Sequence, residues 1–186
     1  MFMVLSDILI IGLQISGKKS VSLYYNLKTR SIMNHLGLPS KETKKNIDLL
    51  NELLANFQVY YQNLRGVHWN IRGKRFFDLH MKFEELYNNA QLRVDEIAER
   101  ILTLGGTPLH TFADYLDLNK IKVGKNISAD EEAVNLVIES LQGLLKLERI
   151  LLQTSDEIND EGTNSMISDL ITEQEKDIWM LQAFLG

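Results

Sequence analysis

The stretch LRGVHWNIRGKRFFDLHMKFEEL, residues 64–86, contains two of the four histidines of the chain, His68 and His80. Each histidine occupies a position where the helical periodicity around it favours an apolar residue. Residues 70–74 between them have the composition of a short turn. The sequence therefore predicts that two successive helices each place an imidazole on the side that faces the core.

Apolar residues repeat at helical spacing in four segments of the chain. These segments are the four predicted long helices, from Glu42 to about His68, from about Phe76 to Leu104, from Ser128 to about Ile158, and from about Asn164 to Phe184. A capping box at Ser128–Glu131 is expected to open the third helix. A turn at Asp160–Asn164 is expected before the fourth. With a short helix at Thr111–Leu118 in the long connection, this pattern predicts an all-α four-helix bundle.

Composition limits the class of protein. The chain has 186 residues, of which 45% are hydrophobic and 24% charged, values typical of one globular domain. It contains no cysteine, which excludes disulfides, thiolate metal ligands and a cysteine nucleophile. This composition fits a reducing compartment, and we expect the protein to be cytoplasmic.

The first 32 residues differ from the rest of the chain. They carry four basic residues and one acidic residue, a net charge of +3. Because the whole chain has a net charge of −5, residues 33–186 carry −8. Their apolar run has the size of a signal peptide but lacks preceding basic residues and a clear cleavage site. It is also short and interrupted for a membrane span. We expect residues 1–32 to be an upstream extension before a true start at Met33, with a signal or anchor role as the alternative. The bundle domain is expected at residues 33–186.

Acidic and histidine side chains form a stripe along the second predicted helix. His80, Glu84, Asp95 and Glu99 fall within about a quarter turn of one another around the helix axis. Imidazole and carboxylate together are typical ligands of iron, zinc or manganese. His80 and Asp95 are separated by about 22 Å along the helix, so one ion cannot join them within a chain. If this helix packs antiparallel against its own copy, His80 of one subunit meets Asp95 and Glu99 of the other, and two-fold symmetry creates two identical sites.

A simpler interpretation of the same residues is a solvated helix edge. A single buried histidine is usually a hydrogen-bonded core residue. Asp95 and Glu99 could form ordinary ion pairs with Arg93 and Arg100 of the same helix. Spacing alone leaves both interpretations open.

The segment from Leu53 to Gly106 resembles the Dps proteins, the small shell-forming members of the ferritin superfamily. The resemblance rests on LRGVHWNIRG, FFDLHMKFEELY and DEIAERILTLGG. It extends more loosely through EQEKDIWMLQAFL, so it covers about residues 36–186 and leaves residues 1–32 unmatched. The residues at the metal-ligand positions of that family are His68, His80, Glu84, Asp95 and Glu99.

The resemblance implies a ferritin-like four-helix bundle, with a short helix in the second-to-third connection, that assembles into a hollow homododecamer. It implies a ferroxidase centre at the two-fold interface, in which those five residues bind iron and catalyse its oxidation. Fe(II) would be oxidised preferentially by hydrogen peroxide, and the ferric mineral would be stored inside, which protects the cell from oxidative stress. Glu84 would be the ligand of a second iron or an orienting group. Glu-x-x-His, with which classical ferritins build a site inside one subunit, does not occur in this sequence.

Several other residues carry weaker expectations. Trp69 is either an electron donor near the centre or an interface residue, Trp179 is expected in the core, and His35 and His110 are expected at the surface. Acidic residues near the third-to-fourth junction either line the family's acidic three-fold pore or are ordinary helix-end charges. These residues are Asp156, Asp160, Glu161 and Asp169.

A structural DNA-compacting stress protein is the alternative function. Some Dps proteins bind DNA through lysine-rich tails, whereas this chain ends in LQAFLG. The plausible basic cluster is Lys41, Lys44 and Lys45, and the acidic body opposes phosphate binding. We therefore expect weak DNA binding at most, and no association with membranes.

Overall fold

Residues 32–186 are described by the computed structural model, and residues 1–31 lie outside the described residues. The upstream extension expected at residues 1–32 therefore lies almost entirely outside the described residues. Five helices follow in chain order over the described part: α1 Ser40–Asn70, α2 Phe76–Thr103, α3 Phe112–Leu118, α4 Asp130–Asp156 and α5 Glu161–Leu185. Four long helices and one short helix in the connection confirm the predicted ferritin-like bundle. None of the described helices has the length and apolarity needed to cross a bilayer.

Helix α1 buries the wide face that its apolar spacing predicts. Leu50, Leu54 and Leu64 are almost completely buried, as are Leu53 and Val67 of the adjoining stripe. Burying each such side chain contributes about 1.5–3 kcal/mol to folding. His68 ends this buried face in the last turn of α1. The core therefore fixes the direction in which this imidazole leaves the helix.

The chain reverses direction between α1 and α2 within five residues. Gly73 has φ +121°, a backbone conformation that residues with a Cβ rarely adopt. Helix α2 then presents Leu79, Phe83 and Ile97 to the core, all of them buried. The tight reversal places the start of α2 beside the end of α1, which brings the two histidine-bearing turns together.

The predicted capping box at the start of the third long helix is wrong. Helix α4 begins at Asp130, and its N-cap Ala129 has no side-chain cap hydrogen bond. The Ser128 carbonyl instead accepts a hydrogen bond of 3.0 Å from Arg72 N. Asp130 receives one of 2.8 Å from Arg75 Nε. Contacts with the α1–α2 connection therefore hold the start of α4 in place, and Asp130 supplies negative charge to the helix start.

The predicted turn at residues 160–164 is also wrong, because helix α5 begins at Glu161. Asp160 is its N-cap and accepts a 3.1 Å hydrogen bond from Thr163 N. The Arg100 guanidinium forms an ion pair with the buried Asp160 carboxylate. An arginine from α2 therefore stabilises a helix start that the local sequence presents as a turn.

Trp179 lies at the surface, with 65% of its area exposed, so its expected core position is wrong. The buried face of α5 includes Leu170, Gln174 and Leu181. Trp179 is two residues before Leu181, which rotates it about 200° around the helix from that side chain. Its face of the helix is covered by no other described element.

One acidic side chain is buried inside the bundle. Glu148 of α4 is completely buried and accepts a hydrogen bond from Gln174 Nε2 of α5. Glu148 Oε2 and Gln174 Oε1 have no hydrogen-bond partner among the described residues. Burial raises the pKa of Glu148 to about 8, against the favourable Gln174 bond and the charge of Arg149. Burial therefore favours the protonated form of Glu148, in which one carboxyl oxygen becomes a donor.

Candidate metal centre

His68 and His80 hold each other through a reciprocal pair of hydrogen bonds. His68 Nδ1 lies 2.8 Å from the His80 carbonyl oxygen, and His80 Nδ1 lies 2.9 Å from the His68 carbonyl oxygen. The two rings stack with centroids 3.8 Å apart and planes inclined by 17°. A carbonyl oxygen only accepts, so each Nδ1 carries the proton and donates. Each Nε2 then keeps a lone pair, which is the form of imidazole that binds a metal.

Glu84 joins the two histidines. It lies one turn after His80 on α2. The ligand atoms of His68, His80 and Glu84 all lie within 4.8 Å of one another, and this is the group of metal-ligating side chains that the described residues bring together. Two nitrogens and one carboxylate oxygen fit iron, zinc or manganese. The structure thus assembles three of the five residues that the sequence singles out.

Aromatic side chains frame the three ligands. Phe76 stacks on the His80 ring at 4.9 Å, and the Tyr87 ring meets the His68 ring edge-on at 5.2 Å. Burial raises the pKa of the Tyr87 phenol. The charge of Glu84 and a hydrogen bond to it raise this pKa further. Sequence reasoning missed Tyr87, although its position three residues after Glu84 places it on the ligand face of the helix.

Asp95 and Glu99 do not join this group within one chain. Both are exposed and lie further along α2, with Asp95 about 22 Å from His80 along the helix axis. The described residues therefore contain a histidine end with one acid and a separate carboxylate end. No contact in a single subunit closes that gap.

The arginines of α2 bind elsewhere, so the alternative in which they pair with Asp95 and Glu99 is wrong. Arg93 forms ion pairs of 2.7 Å with Glu96 and 2.8 Å with Glu173. Arg100 binds the α5 cap, where its Nε donates to Thr163 Oγ1 at 2.9 Å. Among the described residues, no basic side chain pairs with the exposed Asp95 and Glu99 carboxylates.

Other candidate residues separate by burial. His35 and His110 are exposed, as expected. Trp69 is 58% exposed, and the Arg65 guanidinium lies 4.7 Å from its ring centroid. Asp160 is engaged in the α5 cap, which favours the helix-end interpretation for that acid. Exposed acids for which a pore role stays a prediction are Asp156, Glu161 and Asp169.

Comparisons with known proteins agree with this fold. Residues 47–186 match the sequence model of the ferritin-like domain family. An uncharacterised protein of Haemophilus influenzae is 49% identical over 148 residues, covering 80% of this chain and 92% of its own. A DNA protection during starvation protein of Porphyromonas gingivalis is 37% identical over 155 residues, covering 83% and 98%. The crystal structure of a Dps protein from Vibrio cholerae superimposes with a TM-score of 0.81 at 45% identity, covering 83% of this chain and 97% of that one.

A four-helix bundle with a short connecting helix and a histidine–carboxylate cluster defines the class as ferritin-like. The likeness to Dps sequences and structures extends over about four-fifths of the chain. The chain therefore belongs to the Dps family of ferritin-like proteins.

Proposed function

We propose that this protein is a ferroxidase that stores iron and protects the cell from oxidative stress. It oxidises Fe(II), preferentially with hydrogen peroxide, at centres shared between two subunits of a homododecameric shell, and it holds the ferric mineral inside. One observation carries this proposal. His68, His80 and Glu84 converge in one chain, while Asp95 and Glu99 lie exposed further along α2 and form no ion pair with a described residue.

Each side chain has a chemical role in the proposed centre. His68 and His80 bind iron through neutral Nε2 atoms, whose direction the reciprocal hydrogen bonds fix. Asp95 and Glu99 of a second subunit add anionic oxygens, which favour the higher charge of Fe(III). Glu84 binds a second iron or orients the site. Two Fe(II) ions each give one electron to a peroxide molecule, which takes up two protons and leaves as two waters.

The proposed location is the cytoplasm, where ferrous iron and peroxide meet. The removal of both reagents together prevents hydroxyl-radical formation. The relatives named for DNA protection during starvation support a role under stress. The shell itself is supported by the family to which the chain belongs.

Peroxide-driven oxidation of Fe(II) tests the proposal directly. Fe(II) is added anaerobically to purified full-length protein of verified particle size, and peroxide is then mixed in. We expect oxidation much faster than in protein-free buffer, with a soluble ferric product that remains in the shell-sized particle. An intact shell that gives no acceleration over buffer would contradict a ferroxidase.

DNA compaction is a second candidate, favoured by two relatives that are named for DNA protection during starvation. Two features of this chain oppose it. Residues 33–186 carry a net charge of −8, and Lys44 of the candidate basic cluster forms a 3.0 Å ion pair with Asp48. We expect no gel retardation of duplex DNA at a salt concentration of about 0.15 M. Retardation that weakens steeply as the salt concentration rises would instead favour DNA binding as the function of the protein.

A further inference from the structure

Glu84 differs from the two histidines in how it is held. His68 and His80 are fixed by hydrogen bonds to backbone carbonyls and by ring stacking. Glu84 is exposed, and a glutamate side chain has several rotatable bonds. An exposed carboxylate loses conformational freedom when it binds a metal, which weakens binding unless a neighbour already holds it.

Tyr87 is the neighbour that faces both Glu84 and His68. It lies three residues after Glu84, on the same side of α2. Glu84 is close enough for its charge and a hydrogen bond to it to raise the pKa of the Tyr87 phenol. Its ring edge contacts His68 at 5.2 Å, with the two ring planes at 81°. One side chain therefore contacts two ligands that come from different helices.

We propose that Tyr87 is a positioning residue of the metal centre, whose hydroxyl holds one oxygen of Glu84 while its ring fixes the His68 imidazole. This proposal rests on the proposed function, because it assumes that His68, His80 and Glu84 bind a metal. With one carboxylate oxygen bound to the phenol, the other oxygen is free to face the two Nε2 atoms. Tyr87 itself stays outside the coordination sphere.

Tyr61 provides a matched control on the neighbouring helix. Its ring packs against Tyr87 with centroids 6.3 Å apart, so it belongs to the same aromatic cluster. Its hydroxyl lies 3.4 Å from Gln91 Oε1 and bonds to that amide rather than to a metal ligand. Removing the Tyr61 hydroxyl therefore tests whether any phenol in the cluster has the same effect.

Anaerobic titration with Co(II) measures the effect without iron oxidation. The full-length protein is titrated as wild type, Tyr87→Phe, Tyr87→Leu and Tyr61→Phe, and the His80→Ala spectrum is subtracted to isolate this centre. We expect Tyr87→Phe to weaken Co(II) binding about 10-fold, the lower end of what outer-shell ligand partners contribute. The visible absorption of the bound Co(II) should also change, because the carboxylate is no longer oriented. Tyr87→Leu should weaken binding further, since it also removes the ring beside His68.

The outcomes separate the two proposals. Tyr87→Phe that binds Co(II) with wild-type affinity and spectrum overturns the role of Tyr87, provided that His80→Ala has lost the signal. His80→Ala that binds Co(II) as the wild type does overturns the metal centre itself. An equal loss in Tyr61→Phe assigns the effect to general packing of the aromatic cluster and also overturns the specific role. A normal thermal midpoint and particle size for Tyr87→Phe, together with weaker binding, support the proposal.

Discussion

Shells assembled only from His80→Ala subunits are expected to oxidise Fe(II) with peroxide at a rate close to that of protein-free buffer. Shells assembled only from Asp95→Ala subunits should behave in the same way. In the proposed centre each variant removes one ligand from every site, because a two-fold axis would repeat the change at both sites of an interface. The measurement is the initial rate of Fe(III) formation after rapid mixing of iron-loaded protein with peroxide.

Mixed shells of these two variants give the sharper result. Where a His80→Ala subunit meets an Asp95→Ala subunit, one of the two centres receives an intact histidine and an intact aspartate, and the other lacks both. In a random equal mixture half of the interfaces are of this kind, so about one quarter of all centres are restored. We therefore expect about one quarter of the wild-type rate from co-assembled shells, and no recovery from unmixed shells combined in one cuvette.

The control for this experiment is His110→Ala, which removes an exposed histidine outside the cluster. It should oxidise iron at the wild-type rate. Native mass spectrometry shows whether both variants are present in one particle. An absence of recovery in shells that are demonstrably mixed would count against a centre shared between subunits.

The four-helix fold could be predicted because its signal is local. Apolar residues at a spacing of three and four mark the buried faces of α1 and α2, and those faces are buried in the structure. The helix starts of α4 and α5 were not predictable in the same way. Their capping groups depend on Arg75 and Arg100, which reach them from distant parts of the chain.

The candidate centre was predictable as a set of residues but not as a geometry. Spacing places His80 and Glu84 on one helix face, and the turn after α1 brings His68 beside them. The reciprocal bonds between His68 and His80 depend on the register of α1 against α2, which spacing does not define. Tyr87 was overlooked because an aromatic residue at helical spacing ordinarily indicates core packing.

The second large effect is expected in the bundle core, where Glu148→Gln should stabilise the protein at alkaline pH. Glu148 is completely buried, and burial raises its pKa to about 8. Glutamine keeps the shape of the side chain. Its carbonyl keeps the acceptor that binds Gln174 Nε2, and its amide puts an uncharged donor in place of the unpaired Glu148 Oε2.

The sign of the pH dependence follows from proton linkage. Below pH 4.5 Glu148 is protonated in both the folded and the unfolded chain, so it adds no pH dependence to stability. Between pH 4.5 and about 8 the unfolded chain releases this proton while the folded protein keeps it, and the free energy of unfolding falls as pH rises. The loss amounts to about 5 kcal/mol when the full interval is crossed. Glu148→Gln removes this loss, whereas the raised pKa of the partly buried Asp177 leaves a smaller dependence of the same sign.

The measurement is the thermal midpoint at pH 6 and pH 9, at one protein concentration and with the shell size verified, because assembly also affects the midpoint. Glu148→Gln should exceed the wild type by several degrees at pH 9 and by less at pH 6. Glu139→Gln is the control, since Glu139 is an exposed glutamate of the same helix whose ion pair with Lys122 is long, at 3.8 Å. It should leave both midpoints near those of the wild type. A Glu148→Gln midpoint below that of the wild type at both pH values would mean that the core contains an ionised carboxylate, and that Gln174 and its neighbours stabilise the charge.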